Sequence, residues 1–270
     1  MKSVLILLLS LASIFIGVCF PSTLKASSIE IIILYDNYVF VEGTKADWGF
    51  CCIIKGTEKT ILFDTGTSSN TLFHNIDKLK VNPKDVELVA ISHLHRDHTG
   101  GLFSFLEKNN KVTTYLPVSF PAAFEGRVKK SESKVVSVSK PVEICKNVFS
   151  TGEMGTRIKE QSLILNTSKG LVVITGCAHP GIVDIVKRAK EVIDKNIYLV
   201  FGGFHLTEKS EVEVKNIISQ FKGLGVEKVG ATHCTGERAI QLFKQAYGDN
   251  FVQMGVGKVI KISELEKIHD

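Results

Sequence analysis

The chain contains the stretch Ser92-His93-Leu94-His95-Arg96-Asp97-His98-Thr99-Gly100-Gly101, in which three histidines and an aspartate fall within six residues. Directly before it, residues 86–91 form a largely apolar run rich in valine and isoleucine, which predicts a buried strand. The two glycines and the apolar pattern that follow predict the start of a helix over about 101–108. The stretch therefore lies on a predicted strand-to-helix loop, where α/β folds usually carry their chemistry.

The residue types in this loop are those that bind metal ions. Neutral imidazoles and a carboxylate together favour a divalent transition metal, with zinc first among them. His93 and His95 alternate by two, so an extended backbone would direct both toward one ion. Asp97 and His98 are adjacent and point differently, which suits a second ion about 3.5–4 Å from the first. A merely solvated polar loop is disfavoured because four such groups lie so close together.

The pattern His93-x-His95-x-Asp97-His98 resembles the metal-binding motif of the metallo-β-lactamase superfamily, and the resemblance extends over most of the chain. It implies an α/β fold, the four-layer αββα sandwich, with one or two metal ions at the sheet edge. Asp97 is assigned a catalytic role besides that of a ligand. Superfamily members with a redox di-iron centre typically carry glutamate where this chain has His95. Histidine there favours Zn²⁺, with Mn²⁺ or Fe²⁺ as alternatives, and hydrolytic or polar chemistry.

The length of the chain indicates its number of domains, and its composition indicates which kinds of partner it binds. At 270 residues the chain can bury a full core, and we predict one domain over residues 27–270. The formal net charge of +5 is modest, and no basic run is interleaved with aromatic residues. We therefore expect a small-molecule substrate and do not expect nucleic acid as a partner.

The N-terminal segment has the composition of a targeting signal. One lysine precedes an almost wholly apolar run over residues 4–20, and small and polar residues follow up to Ala26. This pattern predicts that residues 1–26 are a secretory signal peptide or, if uncleaved, an N-terminal membrane anchor. The protein is expected to be exported, periplasmic or extracellular, with membrane contact only through an uncleaved N-terminus.

A strand predicted over residues 59–63 ends in Asp64-Thr65-Gly66. A carboxylate in such a place is often only a cap for the turn that follows. The superfamily resemblance implies instead that an aspartate at this position supports the metal loop from behind. We therefore predict that Asp64 orients a ligand imidazole without binding the ion itself.

Three predicted strands in the second half of the chain end near a histidine with glycine close by. They lead to His179, His205 and His233, and each precedes a predicted helix. This repeated placement indicates one convergent site. We predict that His179 and His233 are metal ligands, the latter because the superfamily's last metal histidine also ends a late strand. Three roles stay open for His205: it could contact the substrate, bind the metal ion or pack in the core.

Two departures from the superfamily pattern affect the ligand set. Superfamily hydrolases usually have a metal-bridging aspartate where this chain has Cys177. Cys177 is predicted either to bridge as a thiolate or to leave the site without a protein bridge. A further histidine is usual in the segment before the predicted hairpin 162–175. Here that ligand is absent or is supplied by Glu153 or His179, and Glu153 is also a candidate for substrate binding.

Several short motifs recur together in one branch of the superfamily. Besides the metal loop they are Tyr35-Asp36-Asn37, Trp48-Gly49-Phe50, Leu62-Phe63-Asp64-Thr65-Gly66, Glu160-Gln161-Ser162-Leu163, Thr175-Gly176-Cys177-Ala178-His179-Pro180-Gly181-Ile182, Gly202-Gly203-Phe204-His205-Leu206 and Thr232-His233-Cys234-Thr235-Gly236. The branch is similar to the 7,8-dihydropterin-6-methyl-4-(β-D-ribofuranosyl)aminobenzene 5′-phosphate synthases, which are dihydropteroate-synthase-like. The resemblance runs from about residue 29 to 260.

Three functions are compatible with these observations. The first is a metal-dependent hydrolase, in which a metal-bound hydroxide attacks an ester, lactone, amide or phosphoester. The second is a transferase or synthase that condenses a dihydropterin pyrophosphate with an aminobenzene derivative. Branch membership favours the synthase, whereas predicted export argues against it because reduced pterins are cytoplasmic. The third, a non-catalytic envelope module that binds a ligand, is disfavoured by the completeness of the ligand set, and we favour the hydrolase.

Overall fold

Two β-sheets form the middle of the protein. The computed structural model describes residues 27–264, and the predicted signal or anchor over residues 1–26 lies outside this range. The strands are, in chain order, β1 Ser27–Tyr35, β2 Cys51–Lys55, β3 Ile61–Phe63, β4 Leu88–Ala90, β5 Thr113–Pro117, β6 Lys134–Val138, β7 Val142–Cys145, β8 Val148–Ser150, β9 Leu163–Thr167, β10 Gly170–Thr175, β11 Ile197–Gly203, β12 Lys228–Thr232 and β13 Val259–Glu264.

The described strands divide between a sheet ordered β13-β1-β2-β3-β4-β5-β6 and a sheet ordered β12-β11-β10-β9-β8-β7. In the first sheet, β3 to β6 run parallel, and β1 pairs antiparallel with β13 and β2. In the second sheet, β10, β11 and β12 run parallel. Parallel neighbours end at the same edge of a sheet, so the loops after β10, β11 and β12 start side by side.

Helices cover the outer faces of both sheets. Those described are α1 Ser69–Lys78, α2 Arg96–Thr99, α3 Leu102–Lys108, α4 Ala122–Lys130, α5 Ile182–Val192, α6 Glu211–Gly223 and α7 Glu237–Tyr247. Apolar residues of α1, α3 and α4 pack on the first sheet, and those of α5, α6 and α7 pack on the second. The layers run helix, sheet, sheet, helix, so the predicted αββα sandwich is confirmed. Over residues 27–264, none of the helices combines the length and apolar character that crossing a bilayer needs.

The core between the sheets is tightly packed beneath the loops at the sheet edge. Ile33, Phe63, Val172 and Phe201 are fully buried there. Every residue of β10 is buried, as expected of a strand covered on both faces. Each fully buried side chain of this size contributes about 1.5–3 kcal/mol to stability. A tightly packed sandwich therefore supports the loops that follow β4 and β10.

The observed elements lie close to the predicted ones, with two differences. The helices predicted to follow His179 and His233 are observed at Ile182–Val192 and Glu237–Tyr247. In the segment after Pro117, where Pro117 and Pro121 predict a loop, the chain forms helix α4. The other difference is in the loop after β4. The loop itself contains the short helix α2, which the sequence pattern does not predict. The His95 carbonyl accepts hydrogen bonds from the N–H groups of His98 and Thr99, both over 3.1 Å, and this closes the turn.

Candidate metal centre

A single buried carboxylate, Asp64, holds the loop that follows β4. Asp64 comes directly after β3 and has a φ of 58°. The Ser92 N–H donates to Asp64 Oδ1 and the Ser92 hydroxyl donates to Oδ2, each over 2.7 Å. His98 Nδ1 also lies 2.7 Å from Oδ2. Burial acts to lower the pKa of His98, but the Asp64 and Asp97 carboxylates together outweigh it and the pKa rises to about 10.

His93, His95 and His179 form the first donor group, in which the donor nitrogens lie within 4.8 Å of one another. His93 Nε2 is 3.1 Å from His95 Nδ1, and His93 Nδ1 is 2.9 Å from the Ser92 hydroxyl oxygen. His179 Nε2 is buried and has no hydrogen-bond partner among the described residues. An unpartnered buried nitrogen is costly, and an ion that accepts its lone pair would remove this cost.

The imidazoles of the first donor group favour the neutral form. Burial, followed by the neighbouring His205 and His95, lowers the pKa of His179 to about 4. Burial also holds the pKa of His93 well below its ordinary value, and His98 and His179 act in the same direction. A neutral imidazole is the form that binds a metal ion. The group therefore has the protonation state that metal binding requires.

Asp97, His98, Cys177 and His233 form the second donor group, again with all donor atoms within 4.8 Å. Cys177 Sγ lies 3.1 Å from His98 Nε2 and 3.4 Å from His233 Nε2. Asp97 Oδ2 lies 3.4 Å from His98 Nε2 and 3.3 Å from His233 Nε2. Two imidazoles, a carboxylate and a thiol that can ionise match the ligand types that zinc takes in proteins.

The two donor groups adjoin. The ring centroids of His93 and His98, which belong to different groups, are 4.3 Å apart. His93, His98, Cys177 and His233 are buried, whereas His95 is exposed to solvent. The donor set therefore fits one or two divalent ions at the sheet edge, accessible from the side of His95.

Asn37 and Trp48 contact two members of the second donor group that Asp64 does not contact, His233 and Asp97. Asn37 Oδ1 lies 2.9 Å from His233 Nδ1. Trp48 Nε1 donates to Asp97 Oδ2 over 3.0 Å, and the indole ring lies 5.1 Å from the His233 ring. Because Nδ1 of His233 is occupied in this way, Nε2 is left to face Cys177. Both residues lie in the branch motifs Tyr35-Asp36-Asn37 and Trp48-Gly49-Phe50, whose residue types alone do not predict this role.

Glu160 fixes the loop after β10, and sequence reasoning gives it no role. It is buried, and its carboxylate accepts hydrogen bonds from the N–H groups of Cys177, Ala178 and His179, each over 2.9 Å. Burial raises the pKa of Glu160 to about 7 although these backbone donors act against the rise. The Glu160 carboxylate thus fixes the backbone position of Cys177 in the second donor group and of His179 in the first.

A third donor group consists of Cys177, His205 and Cys234, with donor atoms within 4.8 Å. Cys234 is not among the predicted ligands, although the motif Thr232-His233-Cys234 contains it. Cys177 and Cys234 are buried free thiols, whereas His205 is exposed. The Cys234 thiol donates to the Cys177 carbonyl over 3.6 Å. His205 therefore lies at the site, with its ring centroid 4.3 Å from that of His179, rather than in the core.

Glu153 belongs to none of the three donor groups found in residues 27–264. Its Oε2 accepts a hydrogen bond from the Ser119 N–H over 2.8 Å. Of the two candidates for the missing superfamily ligand, His179 is therefore the one that the structure brings together with His93 and His95. The role of Glu153 in substrate binding stays a prediction.

The chain matches the Metallo-beta-lactamase superfamily over residues 49–183. It therefore belongs to the metallo-β-lactamase superfamily. Within the superfamily it is similar to the 7,8-dihydropterin-6-methyl-4-(β-D-ribofuranosyl)-aminobenzene-5′-phosphate synthase of Methanocaldococcus jannaschii. The two are 30% identical over 287 aligned positions, which cover 88% of this chain and 98% of the relative. The resemblance drawn from the sequence motifs is confirmed.

Solved structures share the same fold. Tm1679, described as a metal-dependent hydrolase of the β-lactamase superfamily, is 30% identical with a TM-score of 0.73. The match covers 87% of this chain and 100% of Tm1679. The metallo-β-lactamase fold protein YhfI of Bacillus subtilis is 14% identical with a TM-score of 0.65, over 87% of this chain and 99% of that protein. The likeness to YhfI concerns the fold alone.

Proposed function

We propose that this protein is a metal-dependent hydrolase of a small-molecule ester, lactone or phosphoester. The observation that carries the proposal is the pair of adjoining donor groups, with the buried unpartnered Nε2 of His179 in one and Cys177 between two imidazoles in the other. One or two Zn²⁺ ions are the proposed cofactor, with Mn²⁺ or Fe²⁺ as alternatives. Such ions supply Lewis-acid polarisation and lower the pKa of a bound water molecule.

The residues of the site divide into ligands and groups that position them. His93, His95 and His179 would hold one ion, and the second donor group the other. Asp97 would in addition accept a hydrogen bond from the attacking water. Burial acts to raise the pKa of Asp97, but hydrogen bonds from His233 and His98 lower it below its ordinary range, so that the carboxylate is anionic.

A hydrolase is also supported by the likeness to Tm1679, which is described as a metal-dependent hydrolase. The second candidate is a synthase, and the observation that favours it is the match to 98% of the Methanocaldococcus jannaschii synthase. In that reaction an aniline nitrogen of the aminobenzene derivative would attack a pterin methylene carbon, and pyrophosphate would leave.

We further propose that residues 1–26 direct export, which separates the two candidates. Pterin pyrophosphates are expected in the cytoplasm, whereas an exported enzyme meets other substrates. Cell fractionation with N-terminal sequencing tests this proposal. A processed chain outside the cytoplasm supports the hydrolase, whereas an intact cytoplasmic chain moves the synthase ahead.

Turnover by the zinc-loaded protein tests the hydrolase directly. A panel of aryl esters, lactones and phosphodiesters is assayed with and without a chelator. We expect chelator, His93→Ala and His179→Ala each to abolish turnover of the best substrate. The matched control is His74→Ala, since the His74 ring contacts the Gly43 carbonyl and belongs to none of the described donor groups. Turnover that survives both chelator and His93→Ala would refute the hydrolase.

The synthase is tested by supplying a dihydropterin pyrophosphate with and without the aminobenzene acceptor. Product that forms only when both are present, with release of pyrophosphate, supports the synthase. Tight retention of a ligand without any metal-dependent turnover would instead support the non-catalytic binding module.

A further inference from the structure

The third donor group combines two buried thiols with one exposed imidazole. The donor atoms of Cys177, His205 and Cys234 lie within 4.8 Å of one another. Cys177 also belongs to the second donor group, whereas His205 and Cys234 have no part in the ligand set that the proposed function uses. The arrangement is thus a cluster of potential ligands beyond the two adjoining groups.

Two residues in or next to this cluster have left-handed backbone conformations. His205 has a φ of 53° and His233, which precedes Cys234, has a φ of 49°. Non-glycine residues are uncommon in this left-handed region, where the backbone is strained. At Gly203 an added Cβ would lie 2.7 Å from Cys234 Sγ, so the ends of β11 and β12 pack as closely as glycine permits. Such strain is typical of functional sites.

The cluster opens on a cavity. A cavity of about 380 Å³ is lined by Trp48, His205, Thr207, Glu208, Lys209 and Cys234. Its volume lies within the range of small-molecule sites, about 300–1,000 Å³. Three protein ligands with a free position toward a cavity are the arrangement of catalytic zinc, whereas structural zinc sites are closed by four protein ligands.

We propose that Cys177, His205 and Cys234 form a third cation position, which binds a thiophilic divalent ion and leaves its fourth position open to this cavity. Two thiolates and an imidazole favour zinc-like ions over the hard cations magnesium and calcium. The Cys177 thiolate is then shared with the second donor group. The inference goes beyond the proposed function because it holds equally for a hydrolase and for a synthase.

Titration of the metal-free full chain with Co²⁺ under anaerobic, reducing conditions tests the third position. Thiolate ligands give a near-ultraviolet charge-transfer absorption that imidazole and carboxylate ligands do not give. We expect Cys234→Ser to bind about one ion fewer per chain and to lose part of this absorption. His205→Ala is expected to weaken that ion by more than about 10-fold. Cys145→Ala is the matched control and is expected to resemble the wild type.

His205→Ala keeps the test informative if Cys234→Ser fails to fold, because His205 is exposed and its removal leaves no cavity in the core. Circular dichroism confirms the fold of each variant before titration. Equal stoichiometry, affinity and charge-transfer absorption in wild type and His205→Ala would overturn the third position alone. A wild type that binds no Co²⁺ would overturn both the third position and the proposed function.

Discussion

The first two donor groups adjoin, yet they differ in how their side chains are held. In the second group each imidazole and the carboxylate has a partner outside the group: Asp64 for His98, Asn37 for His233 and Trp48 for Asp97. In the first group, His95 is exposed and His179 Nε2 has no partner in the described part of the chain. Only His93 is held comparably, by the Ser92 hydroxyl.

This difference indicates that the second group is ordered for metal binding before an ion arrives. Outer partners that fix ligand orientation raise metal affinity, typically by 10–100-fold, that is about 1.4–2.7 kcal/mol. We therefore expect the second group to take up the first ion added, with release of the proton that the raised pKa of His98 keeps on its imidazole. The first group is expected to fill at higher metal concentration, because its ligands lose more freedom on binding.

Cys177→Ala should change the difference in metal binding between the two groups most strongly, because it removes the thiol between His98 and His233. We expect the second group to lose its ion, with affinity falling by more than about 100-fold, while the first group keeps its own. Metal content after gel filtration, measured by mass spectrometry, should fall by at least about one ion per chain. Cys145→Ala should keep the wild-type content. Equal content in wild type and Cys177→Ala would show that the thiol is not a ligand.

Asp64→Asn should weaken the second group without removing a ligand. The amide keeps the size of the side chain but loses the charge that faces His98 Nδ1. We expect the zinc affinity of the second group to fall by about 10–100-fold, as measured by competition with a chromophoric chelator. Asp85→Asn, at an exposed aspartate, is the control. The same affinity in both variants would remove Asp64 from the support of the site.

Glu160→Gln should affect both groups at once, because Glu160 sets the backbone of Cys177 and His179. The amide offers one acceptor oxygen where the carboxylate offers two, and its NH₂ group faces backbone donors. We expect the free energy of unfolding of the metal-free protein to fall by about 1–3 kcal/mol, measured by urea denaturation. Glu153→Gln, which alters a single hydrogen bond to the exposed Ser119, should change this free energy far less. Equal losses would contradict the special role of Glu160.

Trp48→Phe should have the smallest effect, because it removes one hydrogen bond to Asp97 and keeps an aromatic ring. We expect zinc affinity of the second group to fall by less than about 10-fold, measured by calorimetry. In the wild type Trp48 is the only tryptophan of the sequence, so its fluorescence should change as the second group fills. A loss as large as that in Asp64→Asn would mean that Trp48 supports the site by more than this bond.

The candidate ligands that lie close together along the chain could be grouped from the sequence. His93, His95, Asp97 and His98 lie within six residues, so no knowledge of the fold is needed to group them. The four-layer sandwich was likewise predictable through the superfamily motif. In the structure these four side chains divide between two donor groups. Helix α2, which the sequence did not predict, turns the chain after His95 and separates them. Metal binding by the four stays a prediction.

The supporting residues escaped prediction because their contacts join distant parts of the chain. Asn37 meets a residue 196 positions later, and Trp48 one 49 positions later. Glu160 binds three backbone N–H groups, which leave no pattern in side-chain types. Cys234 lies beside the predicted His233. Its approach to Cys177, however, depends on how close together the C-terminal ends of β11 and β12 lie. These contacts belong to the packing rather than to any local motif.

The most direct test of two adjoining ion positions is a crystal structure of the zinc-loaded protein with anomalous data at the zinc absorption edge. We predict one peak against the Nε2 atoms of His93 and His179. A second peak should lie against Cys177 Sγ and His98 Nε2, about 3.5–4 Å from the first. A zinc-loaded crystal without a peak at either donor group would contradict the central claim.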